Sequence, residues 1–362
     1  MTSSISSSLF SYEETKAIRG CAILFVSLHN YCHLLRFTVN VNEYTYSRTK
    51  AMQFRSIFIQ NKPYKLIHIL SFCTPFFISF VFLSGYGLST KYEKNNRRLS
   101  FMESLRSILN TYYKLIRLYF IGYSLIAVRA ILSGAPISKY FGKQFLPRIT
   151  LTVNLLYQYP FKILIPGVYW YFGMSMQLYI VYFLLLHHFR KPLILWAIVF
   201  FSIIAQYLAY LYPMSNFNLL FFLRFNCFGW MGVFASGIAA QRYIKQLSLW
   251  IYRMAFFITP VIFILSLYYV FFWIIWPYFE VYTVVSIIKL APSHLSNLFS
   301  RLGLMSSSLY IVHPFVRAVV FPKFKADVYD GLFIYLSSSL SIAFAINIIM
   351  PYLPSKLFSL SV

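Results

Sequence analysis

Acidic residues are scarce in this chain of 362 residues, where eight Asp and Glu stand against 32 Lys and Arg. No carboxylates are paired, and so few acids make metal chemistry on carboxylate oxygens a poor reading. Cysteine is scarce too. Cys21, Cys32, Cys73 and Cys227 fall inside apolar runs with no paired spacing, which excludes a disulfide framework and a zinc site and reads them as small apolar residues. There is no Gly-x-Ser-x-Gly elbow and no phosphate-binding glycine loop, so hydrolase and nucleotide-triphosphate chemistry have no anchor.

What is present in excess is apolar surface. Hydrophobic residues make up 59% of the chain, aromatics 21% and charged residues 11%, and the mean hydropathy is +0.66. A water-soluble fold of this size has too little polar surface to cover such a core, whereas lipid makes outward Leu, Ile, Phe and Val acceptable. A bilayer span needs about 20 mostly apolar residues. The candidates are 17–36, 66–88, 108–131, 164–187, 193–212, 217–240, 250–270, 271–290, 302–322 and 331–353. Within the pair from 250 to 290, Trp276–Pro277 reads as either a turn or a kink, and the mixed stretch 143–161 reads as re-entrant or interfacial. The expected fold class is therefore all-α: a polytopic integral membrane protein with about ten transmembrane helices, forming one membrane domain over 1–362 with no attached soluble domain. The first apolar run lacks a small-residue cleavage site and is expected to be retained as a helix.

The formal net charge of +24 raises the question of nucleic acid. The cations lie between or at the edges of apolar runs and not on one aromatic-interleaved face, so no nucleic-acid partner is expected. They fit loop orientation and attraction to anionic lipid, and some of them also suit an anionic donor. Lys91, Lys94, Arg97 and Arg98 fill the second connection, Arg190 and Lys191 the fourth, and Arg242 and Lys245 the sixth. Even connections on the cytoplasmic side place both termini there, although the longer first and third connections are basic as well.

Ionisable groups at membrane depth are costly, and each is a functional question. Ten helical steps place His29 roughly 15 Å beyond Arg19, near mid-membrane, with His33 one turn further on. A neutral imidazole there could activate a hydroxyl, or it could simply pack between helices. Ser84-Gly85 allows close helix approach. Lys114 and Arg117, one turn apart, either snorkel to the interface or clamp phosphate. Trp170, Gln177, Arg224, Glu280 and His313-Pro314 are the later polar or aromatic features, and His187–His188 reads as a solvated loop edge.

Taken in order, these pieces resemble the acyltransferase-3 family of integral membrane O-acyltransferases. RGCAILFVSLH is similar to its first-helix Arg-Gly…His motif, and FFISFVFLSGYGLSTKY to its second-helix signature. YKLIRLYF, VYWYFGMSMQLYI and SSLYIVHPF are similar to its basic helix, its Trp-Phe segment and its late Tyr-x-x-His-Pro element. The resemblance implies a catalytic histidine at His29, with His33 in reserve, and an arginine partner at Arg19. It implies acyl-CoA, acetyl-CoA in the first instance, entering from the cytoplasm with its phosphates near Lys114 and Arg117. Substrate contacts are expected also from Ser84, Tyr112, Trp170 and His313, with Ser84 or Tyr112 facing the oxyanion. The implied acceptor is a hydroxyl of a cell-surface or lipid-linked glycan, no metal is needed, and the location is the inner or plasma membrane.

Two departures stand out. Nine residues separate Arg19 from His29 where the family has ten, which puts Asn30 at the aligned position, and Lys16 replaces an acid three residues before the arginine. Glu13 or Glu14 is the available substitute. The rival reading is a lipid-linked sugar transporter or polymerase, which needs no thioester and no single essential imidazole.

Overall fold

The computed structural model describes residues 8–72, 76–93, 98–156, 163–215, 217–324 and 327–352; Cys73, Lys94, Arg97 and the last five residues of the 143–161 stretch lie outside them. Among the described residues the fold is helical with no strand, the single isolated bridge being Met214–Phe217. Six helices are long and apolar enough to cross a membrane, or eight if each of two pairs bent by more than 40° forms one span. Their outward faces carry Phe201, Phe257 and Phe333, exposed by 69%, 70% and 71%. Such faces are stable only against lipid.

The helices are α1 (Tyr12–Cys32), α2 (Arg48–Ile59), α3 (Lys65–Phe72), α4 (Ile78–Tyr92), α5 (Phe101–Leu132), α6 (Ser138–Phe141), α7 (Phe145–Ile149) and α8 (Trp170–Val181). They continue as α9 (Pro192–Leu211), α10 (Leu219–Phe225), α11 (Cys227–Tyr243), α12 (Leu249–Tyr268), α13 (Val270–Leu290), α14 (Ser293–Leu304), α15 (Ser306–Val320) and α16 (Val328–Ile349). Local sequence sets their starts. Ser11 with Glu14 and Ser100 with Glu103 form capping boxes that satisfy exposed N–H groups of α1 and α5. Proline at the first position opens α9.

Several expectations shift. The run 17–36 is realised as α1, long enough to span but not among the six most apolar helices. The run 66–88 contains two helices, α3 and α4, whereas 217–240 and 302–322 fall in the bent pairs. Between 250 and 290 the break at extended Tyr269 agrees with the expected runs 250–270 and 271–290, and Pro277 lies inside continuous α13 and makes no turn. The prolyl nitrogen there only removes one hydrogen bond, which the surrounding helices tolerate. The 143–161 stretch holds only α7 and a short 3-10 turn at Val153–Leu155. His187 is not a solvated edge: it is fully buried, and its Nε2 accepts from the Leu99 N–H at 3.0 Å. A π-helical turn over Tyr182–Leu186 precedes it.

Packing divides the chain into two compact units. The first comprises 1–98, 189–224 and 228–306; the second comprises 99–188, 225–227 and 307–362. Close glycine crossings hold the first. A Cβ on Gly20 would sit 1.8 Å from the Phe299 carbonyl oxygen, and one on Gly303 1.9 Å from that of Lys16, so α1 and α14 touch backbone to backbone. Gly85 and Gly237 do the same for α4 and α11, at 2.2 Å from Phe234 O and 2.1 Å from Phe82 O. Small residues are what allow such approach in lipid, where no hydrophobic drive pulls helices together. Ion pairs mark one end of this unit. Glu14 meets Lys289 at 2.8 Å, Glu13 meets Lys16 at 2.6 Å, and Arg242 grips Glu93 with two bonds of 2.6 and 2.7 Å.

In the second unit Arg148, 1% exposed, is the hub. Its guanidinium donates to the carbonyls of Ile163, Tyr140 and Lys139 and to the Tyr123 hydroxyl, at 2.7 to 3.1 Å. Asn154 donates to Trp170 O and Phe225 O, and Gln177 bridges Asn226 and the Cys227 N–H. These amides satisfy backbone groups that the break at Phe225–Cys227 removes from helix bonding.

Candidate active site

In the first unit α3 lies against α1, and that packing orients His29. Its ring is 7% exposed, and Nδ1 lies 3.2 Å from the Leu70 carbonyl oxygen. A carbonyl only accepts, so the bond requires the proton on Nδ1 and leaves the neutral ring's lone pair on Nε2. His33 is half-buried and stacks on His29 with centroids 5.3 Å apart. Arg19 is exposed, one residue before Gly20, whose missing side chain admits α14.

Helical arithmetic locates the consequence of the nine-residue gap. Ten steps of about 100° place His29 roughly 80° around α1 from Arg19, while Asn30 falls within about 20° of it. Asn30 donates its amide to Val26 O one turn back, at 2.9 Å. An amide has no basic nitrogen. His29 is thus offset by almost a quarter turn from the arginine, and His33, fourteen steps on, by about 40°. Ser84 is half-buried on α4 beside the crossing glycine. The sequence reading passed over His68, which is 3% exposed on α3, with its edge against Phe37.

Arg224, also in this unit, is 1% exposed and lies between two indoles, 4.5 Å from the ring of Trp230 and 4.0 Å from that of Trp273. It donates to Glu43 O and to Gln206 Oε1. Its contacts are those of a satisfied packing cation.

The other sequence candidates lie in the second unit. Lys114 is exposed and Arg117 half-buried, one turn apart on α5. Tyr112 donates its hydroxyl to Ile149 O at 2.6 Å, so its proton is already committed. Trp170 is 4% exposed and stacks on Phe225 at 5.6 Å. His313 has no exposed surface; Nδ1 lies 3.3 Å from Leu309 O, and Nε2 has no partner among the described residues. The structure thus brings His29 and His33 together, gathers Lys114 and Arg117 on one face, and buries Trp170 and His313 away from any surface of their own unit. Among the described residues no group of three or more His, Cys, Asp or Glu side chains could hold a metal ion.

Helices with outward phenylalanines and a histidine poised by a carbonyl define a multi-pass membrane protein with a group able to accept a proton. The chain belongs to the acyltransferase-3 family: the family model described as an acyltransferase domain matches residues 13–350. It is an acyltransferase. No curated protein and no solved structure matches the chain.

Proposed function

We propose that this membrane acyltransferase moves an acetyl or related acyl group from cytoplasmic acyl-CoA to a hydroxyl of a cell-surface or lipid-linked glycan. The observation that carries this reading is the Nδ1–H···O=C bond from His29 to Leu70, because it presents Nε2 as a base on a nearly buried imidazole. Nε2 takes the proton of the acceptor hydroxyl as its oxygen attacks the thioester carbonyl. Collapse of the tetrahedral intermediate expels CoA thiolate, which recovers the proton from the imidazolium. Ser84 or Tyr112 is the donor towards the oxyanion, Tyr112 only by giving up its bond to Ile149 O.

Roles in the second unit are assigned to its own residues. Lys114 and Arg117 bind the donor's phosphates, Arg117 in a bidentate manner. Trp170 and His313 shape and support their surroundings without touching substrate, because neither presents surface. In this reading the chain makes about ten spans as one functional membrane domain in the inner or plasma membrane, with both termini cytoplasmic.

The test is release of free CoA thiol from acetyl-CoA by protein in lipid, with a membrane glycolipid extract as acceptor. Wild-type turnover that disappears in His29→Ala, while His33→Ala retains it, supports the scheme. Loss confined to His33→Ala moves the base one turn along α1. A folded protein that releases no thiol from any acyl-CoA favours a glycan transporter.

A further inference from the structure

The first unit contains a cavity of about 560 Å³ that acyl transfer does not use. Phe10, Phe82, Trp196, Ala239, Tyr243 and Val285 are among its walls. Three of its polar groups are already bonded: the Ser236 hydroxyl donates to Val233 O at 2.6 Å, that of Tyr243 to Arg190 O and that of Tyr282 to Ile251 O. With Tyr252 and Tyr278 also in the lining, the walls are mainly hydrocarbon and aromatic. A volume of this size falls within the range of about 300–1,000 Å³ typical of organic ligands. The cavity reaches the surface at Trp196 and Tyr243, which are 53% and 45% exposed.

Charge decides the occupant. Exposed Lys191, Lys245 and Arg253 each adjoin a lining residue, namely Pro192, Ile244 and Tyr252. None of the three has an ion pair among the described residues, whereas Arg242 and Lys289 nearby are neutralised by Glu93 and Glu14. An apolar cavity whose lining residues adjoin exposed, uncompensated cations in the chain suits a lipid with a phosphate headgroup.

We propose that the cavity binds one acyl chain of an anionic membrane phospholipid whose phosphate is held by Lys191, Lys245 and Arg253. The proposal is independent of the acyl-transfer scheme, and its test reads binding alone. Full-length protein in detergent is titrated with phosphatidylglycerol or phosphatidylcholine and followed by native mass spectrometry. One phosphatidylglycerol is expected to remain bound at least tenfold more tightly than phosphatidylcholine. Ala239→Trp, which fills the cavity, should abolish that adduct. Lys191→Gln/Lys245→Gln should weaken it about tenfold, and these exposed positions keep the test valid if the tryptophan prevents folding. Equal retention of both lipids, or an adduct indifferent to the glutamines and to any folded Ala239→Trp, overturns the proposal. Displacement of phosphatidylglycerol by equimolar palmitoyl-CoA would also overturn it, giving the cavity to the donor.

Discussion

Each unit buries one arginine and two histidines, and Arg224 with His29 in the first and Arg148 with His313 in the second solve the burial differently. In the first, Arg224 is held between two indoles and His29 is tethered by a carbonyl from a different helix. In the second, Arg148 is saturated by three carbonyls and a phenol, and His313 is tethered by the carbonyl four residues back in its own helix. Both histidines carry the proton on Nδ1, so tautomer does not separate them. What separates them is where the tether originates and whether the ring reaches any surface. A carbonyl from α3 makes the aim of His29 depend on how α1 and α3 pack. A carbonyl at i−4 fixes His313 wherever α15 goes, within a fully buried setting. Burial and a carbonyl partner therefore do not by themselves tell the two histidines apart.

The most severe way to test that contrast is to exchange the roles. His29→Ala should lower acyl transfer by about 10²–10⁴-fold, the usual contribution of a positioned base, with an unchanged thermal midpoint. His313→Leu should keep transfer within about threefold, because its Nε2 has no partner to lose and an apolar group of similar size leaves no polar atom stranded. Equal loss in both variants would erase the distinction. Next in size is Arg148→Met, which strands several acceptors and should destabilise the protein by about 3–5 kcal/mol. Arg148→Lys should recover only part of this, since a single ammonium cannot reproduce the fork. Thermal unfolding in detergent measures both.

Packing provides a finer probe of the first unit. Gly20→Ala puts a methyl against the Phe299 backbone and should cost about 1–3 kcal/mol. Gly87→Ala meets nothing within 4 Å and should be stabilising by about 0.5–1 kcal/mol as a helix-interior substitution. If both behave alike, the glycine crossing does not hold α1 to α14. The smallest effect concerns Glu13, whose carboxyl is held below the usual carboxylate range by hydrogen bonds from Lys16 and then Ser300. Because its folded pKa is depressed, its contribution is fully present above the unfolded value of about 4.3 and is lost as pH falls through the folded value. The difference in thermal midpoint between wild type and Glu13→Gln should be flat above pH ~5 and close below it.

Much of the fold was legible in the chain because run length and composition are local quantities. The apolar runs announced the membrane class, and Ser84-Gly85 announced a close helix crossing. The break at Tyr269 was legible as the boundary between the runs 250–270 and 271–290, whereas the choice between turn and kink at Trp276–Pro277 was not, because Pro277 sits inside continuous α13. Of the candidate site, the pairing of His29 with His33 followed from a four-residue spacing. The burial of His187, the cage around Arg224 and the hub at Arg148 did not follow from any spacing.

By itself the sequence determined the solvent, the helices and the family, because a bilayer selects for apolar runs of a set length and the family's motifs are short and ordered. Only the tertiary structure decided which nitrogen of His29 holds the proton, why a glycine follows Arg19, and what His187 bonds. The partners are Leu70, Phe299 and Leu99, between 41 and 279 residues away in the chain. A buried polar group must find a partner wherever the fold brings one, and one chain read in order contains no record of which distant carbonyl or amide that will be.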